Sequence, residues 1–83
     1  EYIVEELANR LLDNKDFLKA AYVFSIIKDD IYYEKVILCY LKGNIVKKAK
    51  LFIEKLDNDS LIDENIKLKL ENIVKESKYN PTN

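Results

Sequence analysis

Apolar residues recur along the chain at intervals of three and four positions, which is the spacing of amphipathic α-helices. Short polar stretches interrupt this pattern four times. The pattern predicts five helices, over residues 2–13, 17–27, 31–42, 45–56 and 61–78, and a frayed tail over 79–83. With one glycine and one proline in 83 residues, the chain has little material for a many-turned β fold. The predicted fold class is therefore all-α.

The polar breaks supply residues that can end one helix and cap the next. The predicted N-caps are Asp16, an aspartate of Asp29-Asp30, Asn44 and Ser60, and Gly43 is expected in a left-handed conformation at a helix end. Turns this short favour antiparallel neighbours. The sequence thus predicts one domain over 1–78: a hairpin over 2–28, a hairpin over 31–56 and an end helix over 61–78. The second helix, apolar almost all round, is expected to be the most buried.

One segment occurs twice. Residues 15–24 return as 43–52, an offset of 28, and each copy has a turn residue, a cap residue, two apolar residues, a lysine, an alanine and an aromatic at matching places. A repeated unit that cannot bury its apolar face alone is typical of a helical solenoid. The predicted architecture is a right-handed array of helix hairpins.

Charge and cysteine content narrow the class of partner. Fourteen basic and fifteen acidic residues give a net charge of −1, so nucleic acid and anionic membranes are not expected partners. No apolar run approaches the roughly 20 residues that span a bilayer. The single cysteine, Cys39, lies in an apolar run and is expected to be a buried small hydrophobe. This composition fits a reducing compartment, and we expect an intracellular protein of the nucleus or cytoplasm.

The chain has few groups that could carry out catalysis. It contains no histidine, so it lacks the usual general base, and one cysteine cannot complete a zinc site. Asp57-Asn58-Asp59 begins like a calcium loop, but Ile62 occupies the glycine position and Leu68 the position of the bidentate glutamate. We therefore expect a non-enzymatic protein without metal or cofactor.

The first hairpin resembles a tetratricopeptide repeat. The resemblance rests on a pattern of small and large residues: Leu7, Ala8, Leu11, the turn at 14–16, Phe17, Ala20 and Phe24. The second hairpin departs from the pattern, with Val36 where a small residue is expected and one extra residue between Gly43 and Ala49. The offset of 28 is also shorter than the ~34 residues of this repeat class. The resemblance implies a scaffold that binds other proteins.

A narrower resemblance concerns residues 11–22. This stretch is similar to one near the N-terminus of the subunit 8 family of the anaphase-promoting complex, a ubiquitin ligase of the cell cycle, although Leu12 replaces an aromatic and Leu18 an acid. Residues 40–43 and 65–70 fall where that family has further helical segments. This resemblance implies a scaffold subunit, in the region through which such subunits form homodimers.

Candidate protein-binding residues lie on the first and third predicted helices. Tyr33 and Tyr40 are seven positions apart and share a helix face with Ile37, which suits either core packing or a groove for a partner. The full candidate set is Tyr2, Glu5, Asn9, Tyr33, Ile37 and Tyr40.

Two functions remain open from the sequence. The first is a self-associating scaffold, which predicts an apolar patch left open at one end. The second is a peptide-binding adaptor of the co-chaperone or trafficking type. Co-chaperone repeats grip C-terminal carboxylates with lysine and asparagine at set positions. Asn9 fits one of these, but Glu5 stands where a lysine is needed, so that clamp is expected to be absent.

Overall fold

The computed structural model describes residues 2–77, which form five α-helices and no strand. The helices are α1 (Tyr2–Asp13), α2 (Phe17–Ser25), α3 (Asp30–Lys42), α4 (Val46–Asn58) and α5 (Glu64–Lys75). The all-α class and the number of helices are confirmed. The predicted tail at 79–83, and residue 78 at the predicted end of the fifth helix, lie outside the described residues.

The third helix lies at the centre of the fold. It packs on α2, α4 and α5, whereas α1 packs mainly on α2. Five of its side chains are buried, against three in α2. The expectation that the second helix is the most buried was wrong, because α2 leaves Leu18 and Tyr22 exposed on a side that no other described helix covers.

The core consists of two clusters that meet along α3. The first contains Ala8, Ala20, Ala21, Phe24, Val36 and Cys39. The second contains Tyr33, Ile37, Leu41, Val46, Ala49, Ile53, Leu56 and Leu70. The half-buried rings of Tyr40 and Phe52 pack against both clusters, with centroids 6.4 Å apart. Burial on two sides of one helix is what joins the hairpins.

Three helices end in the same way, with a residue other than glycine in the left-handed conformation. Lys15, Asn44 and Ser60 have φ values of 62°, 59° and 57°. The N–H of each donates to the carbonyl three residues earlier, at 2.8, 2.9 and 3.1 Å. The N–H of the following residue donates to the carbonyl five residues earlier, at 2.8, 2.8 and 2.9 Å. This pair of bonds is the Schellman motif, which satisfies carbonyls at the helix end.

These motifs correct three of the predicted turn roles. Gly43 is not left-handed (φ −84°), because the next residue, Asn44, takes that conformation. Asn44 and Ser60 therefore end α3 and α4 and do not cap the helices that follow. The N-cap position of α4 is Ile45, which makes no side-chain cap bond, and that of α5 is Asp63.

Two of the three aspartates at N-cap positions accept a hydrogen bond from a backbone N–H of their helix, and one does not. Asp29 accepts a hydrogen bond from the N–H of Ile31 at 2.9 Å, which confirms the predicted cap of α3. Asp63 accepts one from the N–H of Ile66 at 2.8 Å. Asp16 stands at the N-cap position of α2 without such a bond, and its carboxylate lies 3.8 Å from Lys19 instead.

The helix ends also change the offset that relates equivalent residues of the two hairpins. The left-handed residues Lys15 and Asn44 are 29 positions apart, not the 28 found by aligning the sequence. At this offset the buried alanines Ala20 and Ala49 coincide. The offset of 28 pairs Gly43 with Lys15, and of these two residues only Lys15 is left-handed.

A second spacing relates α3 to α5. Their bonded caps, Asp29 and Asp63, are 34 positions apart, and so are the fully buried Val36 and Leu70. Equivalent positions therefore exist along α1, α3 and α5. That these helices form part of a regular solenoid stays a prediction.

Gly43 has a steric role in place of the conformational one predicted. A Cβ atom added to it would lie 2.9 Å from Cβ of Phe17 and 3.2 Å from Cδ2 of the same ring. The missing side chain thus lets the end of α3 approach the start of α2. Because the nearest atom is a Cβ and not the tip of a flexible chain, the clash could be relieved only by moving a helix.

We predict that Gly43→Ala lowers the free energy of unfolding by about 1–2 kcal/mol. Overpacking typically costs about 1–3 kcal/mol, and the loss of glycine's freedom in the unfolded chain offsets about 0.4–1 kcal/mol of this. Urea denaturation followed by circular dichroism measures the change. Lys15→Gly, at the equivalent turn, should have the opposite sign because it removes a strained left-handed lysine. A stabilising Gly43→Ala would contradict the close contact.

Cys39 confirms the expected buried cysteine. Its side chain is 1% exposed, and this burial raises the pKa of its thiol to about 11, although the nearby charges of Lys42 and Lys35 oppose the shift. The thiol is therefore neutral and shielded at physiological pH.

We predict that native Cys39 reacts with a disulfide reagent at pH 8 at least about 100-fold more slowly than in the unfolded chain, because its thiolate fraction is lower by that factor. Since the folded pKa lies above the unfolded value of 9.0, its contribution to stability is lost as pH rises above about 9. Tyr33 and Tyr40, whose pKa burial also raises, act in the same direction. Cys39→Ala isolates the cysteine's share. Equal reaction rates in native and unfolded protein would show that Cys39 is accessible.

Candidate protein-interaction surfaces

The predicted residues on α3 lie in the core. Tyr33 and Ile37 are 2% and 0% exposed and belong to the second cluster, where α4 and α5 cover them. The ring of Tyr33 meets that of Phe52 edge-on, with centroids 6.0 Å apart. Tyr40 is half-buried between the two clusters. The structure brings these three residues together as core packing, which leaves almost no surface of Tyr33 and Ile37 for a partner.

The predicted residues on α1 are separate from that group. Glu5 is half-buried and Asn9 is exposed, while the side chain of Tyr2 lies outside the described residues. Asn9 lines a small cavity of about 120 Å³ between α1, α2 and α3. The six residues predicted for binding therefore do not form one surface.

The small cavity combines cations with an apolar wall. Asn9, Lys35 and Lys42 stand around it, and Phe24 and Leu38 supply apolar surface. The ammonium nitrogen of Lys35 lies 5.8 Å from the ring centroid of Phe24, within cation–π range. Two ammonium groups and an amide beside an apolar wall suit a small anionic group attached to an apolar one.

A larger exposed surface lies on the first hairpin. We define the N-terminal face as five exposed apolar side chains: Ile3 and Leu7 of α1, Leu18 and Tyr22 of α2, and Ile26 just after α2. Ile3 and Tyr22 are the most accessible, at 78% and 68%. Spacings of four residues place each set along one side of its helix.

The two sets share the side of the hairpin that faces away from α3. On α1, the cavity shared with α3 involves Asn9 and Leu12, on the far side from Ile3 and Leu7. On α2, Phe24 meets Tyr32 of α3 with ring centroids 6.2 Å apart, and it lies on the far side from Tyr22. The exposed residues of both helices therefore lie away from α3.

The residues of α3 at positions equivalent to Ile3 and Leu7 pack against another helix. At the offset of 29, Ile3 corresponds to Tyr32 and Leu7 to Val36. Tyr32 and Val36 pack on α2 as part of the first cluster. Ile3 and Leu7 thus occupy helix-packing positions that no described helix covers.

A groove of about 680 Å³ lies between α4 and α5, at the opposite end of the fold. Its apolar lining is Val46, Ile53 and Val74. Near the α4–α5 turn, the ammonium of Lys67 donates to the carboxylate of Asp57 at 3.0 Å, and this bond raises the pKa of Lys67. We call this feature the α4–α5 groove.

Charged residues form the rim of the α4–α5 groove. Lys50 and Glu54 lie on α4, and Glu71 and Lys75 lie on α5. None of these four belongs to an ion pair within residues 2–77. The groove therefore offers unpaired charge of both signs around an apolar floor.

Helix α5 carries charged residues at positions where α3 carries core residues. At the offset of 34, the core residues Tyr33, Ile37 and Leu41 of α3 correspond to Lys67, Glu71 and Lys75 of α5. These charged side chains line the groove where α3 has buried ones. The helix thus covers the second cluster with one side and presents charge on the other.

The sequence predicts an apolar patch left open at one end, but it does not identify the residues of either larger surface. Leu18, Tyr22 and Ile26 belong to the helix that the sequence predicts to be apolar almost all round, although their spacing of four places them on one side of it. The groove had a weaker signal, the oppositely charged pairs four residues apart on α4 and α5. Neither signal shows which helices are neighbours, so neither could identify a surface.

The described residues contain no group of three or more metal-ligating side chains placed to hold an ion. Within the same part of the chain, no helix has the length and apolar character needed to cross a bilayer. Comparisons with protein-family models, with curated proteins and with solved structures give no match for this chain.

Proposed function

We propose that this chain is a non-enzymatic protein-interaction module that self-associates through its N-terminal face and serves as a scaffold in a larger assembly. The observation that carries the proposal is the exposure of Ile3 and Leu7 at positions whose counterparts in α3 pack against another helix. The absence of histidine from the sequence supports the non-enzymatic part.

The energetics favour burial of this face. Full transfer of one large aliphatic side chain from water is worth about 1.5–3 kcal/mol. Ile3 and Tyr22 have the most area left to bury, while Leu7 and Leu18 are already half covered. Association opposes this gain through lost translational and rotational freedom. Five side chains in each copy are consistent with a modest affinity, reached at micromolar or higher concentration.

The narrower proposal, a scaffold subunit related to the anaphase-promoting complex, has a separate support. It rests on the resemblance of residues 11–22 to the subunit 8 family. In the structure this stretch spans the end of α1, the left-handed turn at Lys15 and the start of α2. Homodimer formation, a role in the cell cycle and a location in the nucleus or cytoplasm belong to this narrower proposal.

We predict that the protein has a weight-average mass above that of the monomer at high concentration. The double variant Ile3→Gln/Leu7→Gln should weaken association at least about tenfold, which corresponds to about 1.4 kcal/mol. Glutamine is a good helix former, so α1 is retained. Sedimentation equilibrium over a wide concentration range measures both results.

The matched control is Ile31→Gln/Leu68→Gln, which removes two exposed apolar side chains from other helices. Its association should equal that of the unmodified protein. A strict monomer at all concentrations would contradict self-association. An equal loss in both double variants would show that the effect is general hydrophobicity and not the N-terminal face.

The cavity beside Asn9 favours a second candidate, a peptide-binding adaptor. Lys35 and Lys42 together with Asn9 could receive a carboxylate while an adjacent apolar side chain contacts Leu38. Glu5 does not line this cavity, so its carboxylate is not placed to repel a bound anion.

For this candidate we predict micromolar binding of peptides that end in acidic and aliphatic residues, weakened at least about tenfold by Lys35→Gln/Lys42→Gln, because the anion loses both cations. Calorimetric titration measures the affinity, and an amidated peptide is the control. Equal binding of the amidated peptide, or no binding at all, would rule out carboxylate recognition.

A further inference from the structure

We propose that the N-terminal face of one copy docks in the α4–α5 groove of the next copy, so that association is head-to-tail. This inference rests on the proposed self-association, names the second surface that takes part, and is an alternative to the closed homodimer of the narrower proposal. It predicts growth beyond the dimer, into an open chain or a larger closed ring, because a pair joined by two different surfaces leaves one face and one groove unoccupied.

Shape supports this pairing. The exposed edge of α1 is narrow, with Ile3 and Leu7 one helical turn apart. The groove, at about 680 Å³, has room for several aliphatic side chains, and its floor carries Val46 and Ile53 of α4 and Val74 of α5. An apolar helix edge seated between two helices is a common mode of recognition.

The rim charges of the groove have a defined order. On α4, Lys50 precedes Glu54 by four residues, and on α5, Glu71 precedes Lys75 by four. Because the short turn makes α4 and α5 antiparallel, both lysines lie towards one end of the groove and both glutamates lie about 6 Å further along, nearer the turn. The rim is thus positive and then negative, read along α4.

The outer side of α1 carries the complementary order. Glu6 precedes Arg10 by four residues beside Ile3 and Leu7, and the two side chains form an ion pair at 3.6 Å while staying 58% and 75% exposed to a partner. When α1 runs parallel to α4, its carboxylate faces the two lysines and its guanidinium faces the two glutamates. The reverse direction would place like charges together. The charge pattern therefore selects one direction of docking.

The two kinds of contact have different effects. The apolar side chains supply most of the affinity, while exposed charge pairs add little free energy each. Charges across an interface mainly select partners and orientation, since like charges brought together are unfavourable. Two N-terminal faces that met antiparallel would also place Glu6 beside Arg10, so the charges fix the direction of docking, and the apolar groove favours the head-to-tail arrangement.

Charge reversal tests the inference. Glu54→Lys/Glu71→Lys makes the whole rim positive and should weaken self-association at least about tenfold, because Arg10 then meets lysines. Adding Arg10→Glu to that variant should restore association to within about threefold of the unmodified protein. Arg10→Glu alone should weaken it, because the new carboxylate meets Glu54 and Glu71. Sedimentation velocity over concentration gives each affinity, and circular dichroism confirms that each variant is folded.

The expected mass of the unmodified protein continues to rise beyond the dimer with concentration. A plateau at the dimer, or association that Glu54→Lys/Glu71→Lys leaves unchanged, would overturn head-to-tail docking. If Ile3→Gln/Leu7→Gln still abolishes association in that case, the proposed function stands and the N-terminal faces meet each other. Weakening without rescue by Arg10→Glu would also overturn the pairing with α1. If the unmodified protein does not associate at all, the proposed self-association itself fails.

Discussion

The burial of α3 on both sides is the interaction on which the rest of the structure depends. Val36 faces the first cluster and Ile37 the second, so one helix belongs to both hairpins at once. Its neighbour α2 has only nine residues, shorter than the roughly 12–15 that are marginal for an isolated helix. Tertiary packing, and not local propensity, therefore holds the hairpins in shape.

The two terminal helices of the described fold, α1 and α5, are each packed on one side, and their free sides differ. The free side of α1 carries the apolar Ile3 and Leu7 beside Glu6 and Arg10, while α5 places the charged Glu71 and Lys75 along the groove. A fold with two unlike ends has a direction, and direction is what distinguishes a chain of copies from a closed pair. The difference depends on side chains alone, because the backbones of the helices are alike.

Prediction from the sequence succeeded where one helix carries the signal by itself. The apolar period located all five helices, and Asp29 was recognised as a cap because its bond is local. It failed at Gly43 and Asn44, where either residue could have been left-handed and the sequence alone does not show that Asn44 is the one. It also placed Tyr33 in a candidate binding site, although α4 and α5 cover it.

The sequence by itself determined the all-α class, the five helices, and the burial of Cys39, because helical period and local composition are properties of short segments. The tertiary structure alone decided which apolar sides are covered and which stay exposed. An apolar stripe at Ile37 and one at Tyr22 look alike along the chain, and only the position of neighbouring helices separates core from surface. The repeated segment is likewise visible in the sequence, but its spacing is not. The left-handed residues Lys15 and Asn44 show that equivalent positions in the two hairpins are 29 residues apart and not 28.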